Sequence, residues 1–276
     1  MISRAERAAN YVILSVFAAF ALWPVLTILG AALGPNDSVV GAAGHGPGVL
    51  GLHPENFAAA WAQGRFGRSM LTSVAVAAFV VGVGTVLSVL SGYAFGTMRM
   101  PGGTVLFYLF LLGIMVPTEA IVVPLYFDLR TLGLTNTFWA IALPQLAQSV
   151  AFGTFWMRAY FRASPAPLIE AARLDGASSW TILWRVLVPV GRPAVTTLVV
   201  LTFMWTWNEF LIPLVMATDE GLRTAPLGLA FFQGQYTTGF TLLAAGAVIV
   251  AAPVVVVYLF LQRRFIQGML EGAVRE

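Results

Sequence analysis

Long uncharged apolar stretches alternate along this chain with shorter polar segments that carry arginine. Residues 11–33 and 70–98 contain no charged side chain, and a third apolar stretch covers 104–126, interrupted by Pro117 and Pro124. Three more follow: 137–157 with Pro144, Gln145 and Gln148 inside it, 193–217 with one acid, Glu209, and 240–261 without charge. A helix needs about 20 mainly apolar residues to cross a hydrocarbon core of about 30 Å. The pattern therefore predicts an all-α integral membrane protein with six transmembrane helices, residues 1–276 forming a single transmembrane domain.

The arginines set an orientation. With the N-terminus inside, eleven fall on inner segments, among them Arg4, Arg7, Arg158, Arg162 and Arg263, and four on outer ones (Arg65, Arg68, Arg130 and Arg223). The positive-inside rule then places both termini in the cytoplasm. Arg65 and Arg68 run against that assignment. The first stretch is longer than the apolar region of a signal peptide, so it is expected to stay as an anchor. The longest outer segment, 34–69, is rich in Gly and Pro and predicts no soluble domain.

Composition fits the membrane reading and removes several chemistries. Of 276 residues, 59% are hydrophobic and 10% charged, against about a quarter charged in an ordinary soluble domain. All fifteen basic residues are arginine. Without lysine the chain has no phosphate-binding P-loop, which needs that side chain. Cysteine is absent, which excludes disulfides and thiolate sites. His45 and His53 lie in the Gly/Pro-rich loop and read as exposed loop residues rather than a metal pair. A net charge of +3 is too small to suggest nucleic acid.

The remaining charge concentrates in 158–192, between the fourth and fifth stretches. Ser164, Pro165 and Pro167 start a helix in which Leu168, Ile169, Ala172 and Leu174 are the apolar positions. Glu170, Arg173 and Asp175 are the polar ones, and Gly176 ends the helix. Ser178 or Ser179 caps a second helix, expected to end at Pro189. Two uses fit this pair: an amphipathic element on the lipid surface held by Trp180 and Trp184, or a docking element whose small Ala171 and Ala172 let a partner approach closely.

Glu170-Ala171-Ala172, three residues, Gly176, nine residues and then Val186-Leu187-Val188-Pro189 resembles the EAA loop of ATP-binding-cassette (ABC) importer permeases. The closing valines replace Ile and Leu in the family pattern. The stretches 115–137, 203–214 and 260–276 are similar to the carbohydrate-uptake branch, within it to the six-span, maltose-transporter-type inner-membrane subunit. The resemblance implies a type I importer permease whose coupling helix carries Glu170, Ala171, Ala172, Asp175 and Gly176 into a groove of an ATP-binding subunit. ATP and Mg would then sit on that partner, with no cofactor or catalytic residue in this chain. It also implies a second homologous permease subunit, two copies of the ATPase, an extracytoplasmic solute-binding protein, and a tail (263–276) reaching the ATPase. The location implied is the bacterial cytoplasmic membrane, and the cargo a di- or oligosaccharide. Glycerol-3-phosphate or a related phosphodiester on the same scaffold is the alternative, and a self-sufficient secondary transporter a more distant one.

Glu209, in Trp207-Asn208-Glu209 midway along the fifth stretch, is costly in a membrane unless it faces water or a partner. It is read either as pathway lining, with Trp207 and Asn208, or as part of a helix-to-helix hydrogen bond. Gln145 and Gln148 share a helix face and have the same two readings. Pro117, Pro124, Pro144, Pro213 and Pro253 are expected kinks or breaks. Gly30-x-x-x-Gly34 and Gly92-x-x-x-Gly96 are candidate points of close helix approach.

Overall fold

The computed structural model describes residues 3–35, 52–235 and 240–273. All regular structure among them is helical. The chain divides into two compact units, one of 1–67 with 228–252 and one of 68–227 with 253–276. Three helices are each long and apolar enough to cross a membrane: α1 (Arg4–Ala32), α3 (Phe66–Thr97) and α13 (Phe240–Ala273).

In the first unit α1 is apolar around its circumference and exposed along most of its length, as expected for a helix solvated by lipid or covered by a partner. Its end is tied down. Asn56, on α2 (Glu55–Gln63), donates from Nδ2 to the Ala32 and Gly34 carbonyls at 3.0 and 2.9 Å. Those are carbonyls that the end of α1 leaves without helical donors. Ala32 and Ala60 pack with Leu242, Ala244 and Ala245 of α13. His53 pairs through Nδ1 with Glu55 at 2.6 Å. That hydrogen bond, then one from backbone, holds the Glu55 carboxyl below its ordinary value. No cluster of metal-ligating side chains occurs among the described residues, and His45 lies outside them.

The second unit is built on α3, α4 (Gly103–Met115), α5 (Thr118–Thr131) and α6 (Phe138–Arg162). α6 is long enough to cross but is not among the helices apolar enough to qualify by composition. Its polar residues have gone inward: Gln145, Ser149 and Thr154 are buried with Ile141 and Met157. α3 lies against it through glycine. A Cβ on Gly92 would stand 2.5 Å from Met157 Cβ, and one on Gly96 3.0 Å from Phe161 Cβ. Among the described residues a Cβ on Gly34 would meet only α1's own carbonyls, so Gly34 differs in kind from Gly92 and Gly96.

Two of the predicted spans are not single helices. The third divides at Val116 and Pro117, both extended, and α4 and α5 meet at 99°. A residue before proline avoids the helical region, which accounts for Val116. Pro124, by contrast, is accommodated inside α5. The fifth divides at Glu209, between α10 (Arg192–Asn208) and the short α11 (Leu211–Met216). The cause lies downstream. In a continuous helix the Pro213 ring would clash with the carbonyl of Glu209, four residues earlier.

Between α6 and α10 the chain forms α7 (Ala166–Leu174), α8 (Ser179–Thr181), a π-helical segment (Ile182–Leu187) and α9 (Val188–Val190). Pro189 does not end the second helix of the loop, which runs to Val190 and turns by 80° into α10 at Gly191. The wider π turn directly before Pro189 supplies the room a proline ring needs. A 3-10 turn (Glu220–Leu222) and α12 (Ala225–Gln235) lead towards α13, which continues to Ala273.

Candidate functional site

The loop after α6 holds itself in shape. α7 ends in a reciprocal turn: Gly176 N–H donates to the Arg173 carbonyl and Ala177 N–H to the Ala172 carbonyl, both at 3.0 Å. This closure requires a left-handed residue, and Gly176 has φ 79°. Ser178 then caps the next helix by accepting from Thr181 N–H at 3.3 Å. Leu168, Ile169, Ala172 and Ala177 pack on a cluster of Val89, Tyr93, Met157, Phe161, Ile182, Leu183 and Leu187.

The opposite face of α7 is uncovered. Pro167, Glu170, Ala171 and Leu174 are all exposed and recur at helical spacing, so they form one stripe. Leu174, assigned from the sequence to the apolar face, is 89% exposed; this corrects the assignment. Arg173 and Asp175 are exposed as well, and neither they nor Glu170 form an ion pair among the described residues. Trp180 and Trp184 pack on each other with centroids 5.6 Å apart.

The second constellation is a cavity of about 590 Å³ in the same unit. The two helix breaks both open onto it. Val116, Pro117 and Thr118 line one side, Trp205, Asn208 and Glu209 another, and Gln145, Gln148 and Phe152 of α6 the wall between them. Gln148 Nε2 donates to Thr118 Oγ1 at 2.9 Å, joining α6 to the first residue of α5. Gln145 is 4% exposed; its Nε2 donates to the Ile141 carbonyl and its Oε1 has no partner among the described residues. An unpaired buried acceptor costs about 1–3 kcal/mol. Phe152 and Trp205 meet edge to face at 4.7 Å and give the wall an aromatic surface.

Glu209 is neither midway along a helix nor engaged in a helix-to-helix hydrogen bond. Its Oε1 accepts from Ile212 N–H at 2.9 Å and so caps α11 across the break. Asn208 donates from Nδ2 to the Met204 carbonyl of its own helix at 2.8 Å. Trp207 is buried, only 2% exposed and packed near Phe203, and does not line the cavity. Trp205, two residues earlier and 51% exposed, is the tryptophan that does. The sequence pointed to Trp207 instead, because composition does not say which face of α10 meets the cavity.

Two broken helices thus face a cavity lined by aromatic, aliphatic and polar side chains, in a unit whose cytoplasm-assigned loop has an exposed outer face. The chain belongs to the family described as the binding-protein-dependent transport system inner membrane component, whose model matches residues 84–271. It is 36% identical over 223 residues to a probable ABC transporter permease protein, YurM of Bacillus subtilis, covering 81% of this chain and 74% of that one. It is 29% identical to the trehalose transport system permease protein SugB of Mycobacterium tuberculosis, over 98% of this chain and 99% of the relative. The fold is similar to a chain of a bacterial ABC transporter involved in import of the acidic polysaccharide alginate. There the TM-score is 0.76 at 25% identity, with 96% of this chain and 99% of that one covered. This is thus a multi-pass inner-membrane permease subunit of a binding-protein-dependent transport system.

Proposed function

We propose that the chain is one half of the translocation pathway of an ATP-driven, binding-protein-dependent importer of a neutral di- or oligosaccharide. The observation that carries the cargo assignment is the lining of the cavity. It offers an aromatic wall, one carboxylate, two glutamines and an asparagine, and no cationic side chain. Acceptors beside an aromatic face suit sugar hydroxyls, which donate hydrogen bonds and carry no charge. A phosphodiester would meet Glu209 without a guanidinium to offset the repulsion. The similarity to a trehalose permease along nearly the whole chain supports the same reading.

The energy enters from other subunits. In this reading the stripe of Glu170, Ala171 and Leu174 docks in a groove of an ATP-binding subunit that holds ATP and Mg, and Asp175 and Gly176 shape its end. Two such subunits, a second permease and an external binding protein complete the importer, with the six spans arranged so that both termini and the tail after Arg263 face the cytoplasm. Docking must differ in free energy between two arrangements of the spans for ATP to move them.

The test is reconstitution with a candidate ATPase and partner permease, measuring co-purification and ATP-dependent uptake of labelled disaccharide against labelled glycerol-3-phosphate. Wild type is expected to hold the ATPase and take up the sugar. Glu170→Arg should release the ATPase with the fold intact. Retention of the ATPase by that variant would remove the docking role, and preferential uptake of glycerol-3-phosphate would overturn the cargo.

A further inference from the structure

A second cavity in the same unit, of about 430 Å³, lies where α3 ends, α4 begins and α6 runs out towards α7. Its lining includes Phe95, Met98, Arg99, Thr104 and Arg158. It shares no lining residue with the cavity at the helix breaks. The Arg158 guanidinium carbon sits 3.7 Å from the centre of the Phe107 ring, and its Nε donates to the Phe95 carbonyl at 3.4 Å. These contacts fix the side chain and leave its charge without an anion. Arg162 follows one turn later on the same helix face, adding like charge. Among the described residues none of Arg99, Arg158 and Arg162 has a carboxylate within ion-pair distance.

The setting says what kind of anion fits. α3 is uncharged from Met70 to Thr97, and the turn at Met98–Gly102 follows directly, so Arg99 stands at the end of an apolar run. On α4, Val105, Tyr108, Leu109 and Leu112 are each more than half exposed. Their spacing is i, i+3, i+4, i+7, which makes one apolar stripe leading away from the cavity. A cationic cavity at the foot of an uncovered apolar stripe matches one amphiphile: an anionic headgroup with hydrocarbon chains attached.

We propose that this cavity binds the phosphate of an anionic phospholipid through Arg99 and Arg158, with the acyl chains lying along the α4 stripe. Charge complementarity selects the headgroup, since arginine recognises phosphate with several donors at once. A zwitterionic lipid brings its own cation and gains less. Because α6 passes from this cavity into α7, the bound lipid braces the helix from which the loop is suspended.

The test uses the full chain, purified from its membrane and exchanged into nanodiscs of defined phosphatidylglycerol and phosphatidylcholine content, with retained lipid read by native mass spectrometry. Wild type should retain phosphatidylglycerol over phosphatidylcholine, and R99Q/R158Q should lower its retention about tenfold or more, from roughly 1 kcal/mol per basic residue near an anionic surface. Equal retention of the two lipids, or unchanged retention in the double variant, would overturn the proposal. Displacement of the lipid by millimolar inorganic phosphate would do the same, assigning the site to a free anion. A phosphatidylglycerol with a photoreactive acyl chain supplies a readout on unmutated protein. Crosslinks are expected at Val105, Tyr108, Leu109 or Leu112, and their absence would sink the lipid assignment.

Discussion

Helix α7 and the break at Glu209 each carry a carboxylate, Glu170 on the exposed face of the helix and Glu209 at a helix end, and they use it in opposite ways. At α7 the backbone closes its own turn through Gly176, and Glu170 contributes no hydrogen bond to it. At the break the Glu209 side chain supplies an acceptor that the backbone needs, at Ile212 N–H. The first charge is free for another molecule, while the second is partly committed to the fold. A polar residue in an apolar chain is therefore evidence of a role, and the local hydrogen bonding decides whether that role is internal.

Six substitutions at five positions press on this difference. The largest effect is expected from Gly176→Pro. Proline fixes φ near −65°, whereas Gly176 stands at +79° and donates to Arg173. The turn should open at a local cost of about 3 kcal/mol. Hydrogen exchange should show loss of protection at Ala177, whose N–H donates to the Ala172 carbonyl, while α6 stays protected; unchanged protection would mean that the loop is held from elsewhere. Gly92→Ala comes next. Its Cβ would press on Met157, which also carries the inner face of α7, so overpacking of about 2 kcal/mol should lower the thermal midpoint. Gly34→Ala is the control and should change little, because only α1's own carbonyls are near.

Glu209→Ala removes the cap of α11 and should cost about 1 kcal/mol of stability, whereas Glu209→Gln keeps an acceptor and should cost less. If both variants fold yet neither transports, the carboxylate serves the cargo; if Gln restores transport fully, capping is its whole contribution. Glu170→Gln is the mildest. Stability should hold within about 0.5 kcal/mol, as for other exposed positions, with any loss confined to ATPase binding. A marked fall in thermal midpoint for this variant would erase the contrast between the two carboxylates.

What the sequence determined by itself was whatever depends on composition, period or a single local rule. Apolar run length predicted membrane helices, and α1, α3 and α13 are continuous helices of that kind. Gly176 ends α7 because the left-handed turn is a property of its own backbone. The motif around Glu170 pointed to the permease family without any contact being known. Tertiary structure decided whatever depends on which residue stands opposite. Gly92 and Gly34 read alike, yet among the described residues a Cβ would meet another helix at Gly92 and only α1's own carbonyls at Gly34. Trp205 and Trp207 are two residues apart, so on a helix they point about 200° apart, and only the packing of Phe203 and Phe152 says which is buried and which lines the cavity. Pro117 breaks a span while Pro124 sits inside a helix, a difference that the local sequence rule for proline does not make. Glu209 leaves the helix for a reason four residues away in sequence, and it meets Gln145 and Gln148 in one cavity only because two breaks face the same wall. Period and composition act within one helix, but a site forms between helices, where sequence distance carries no information about contact.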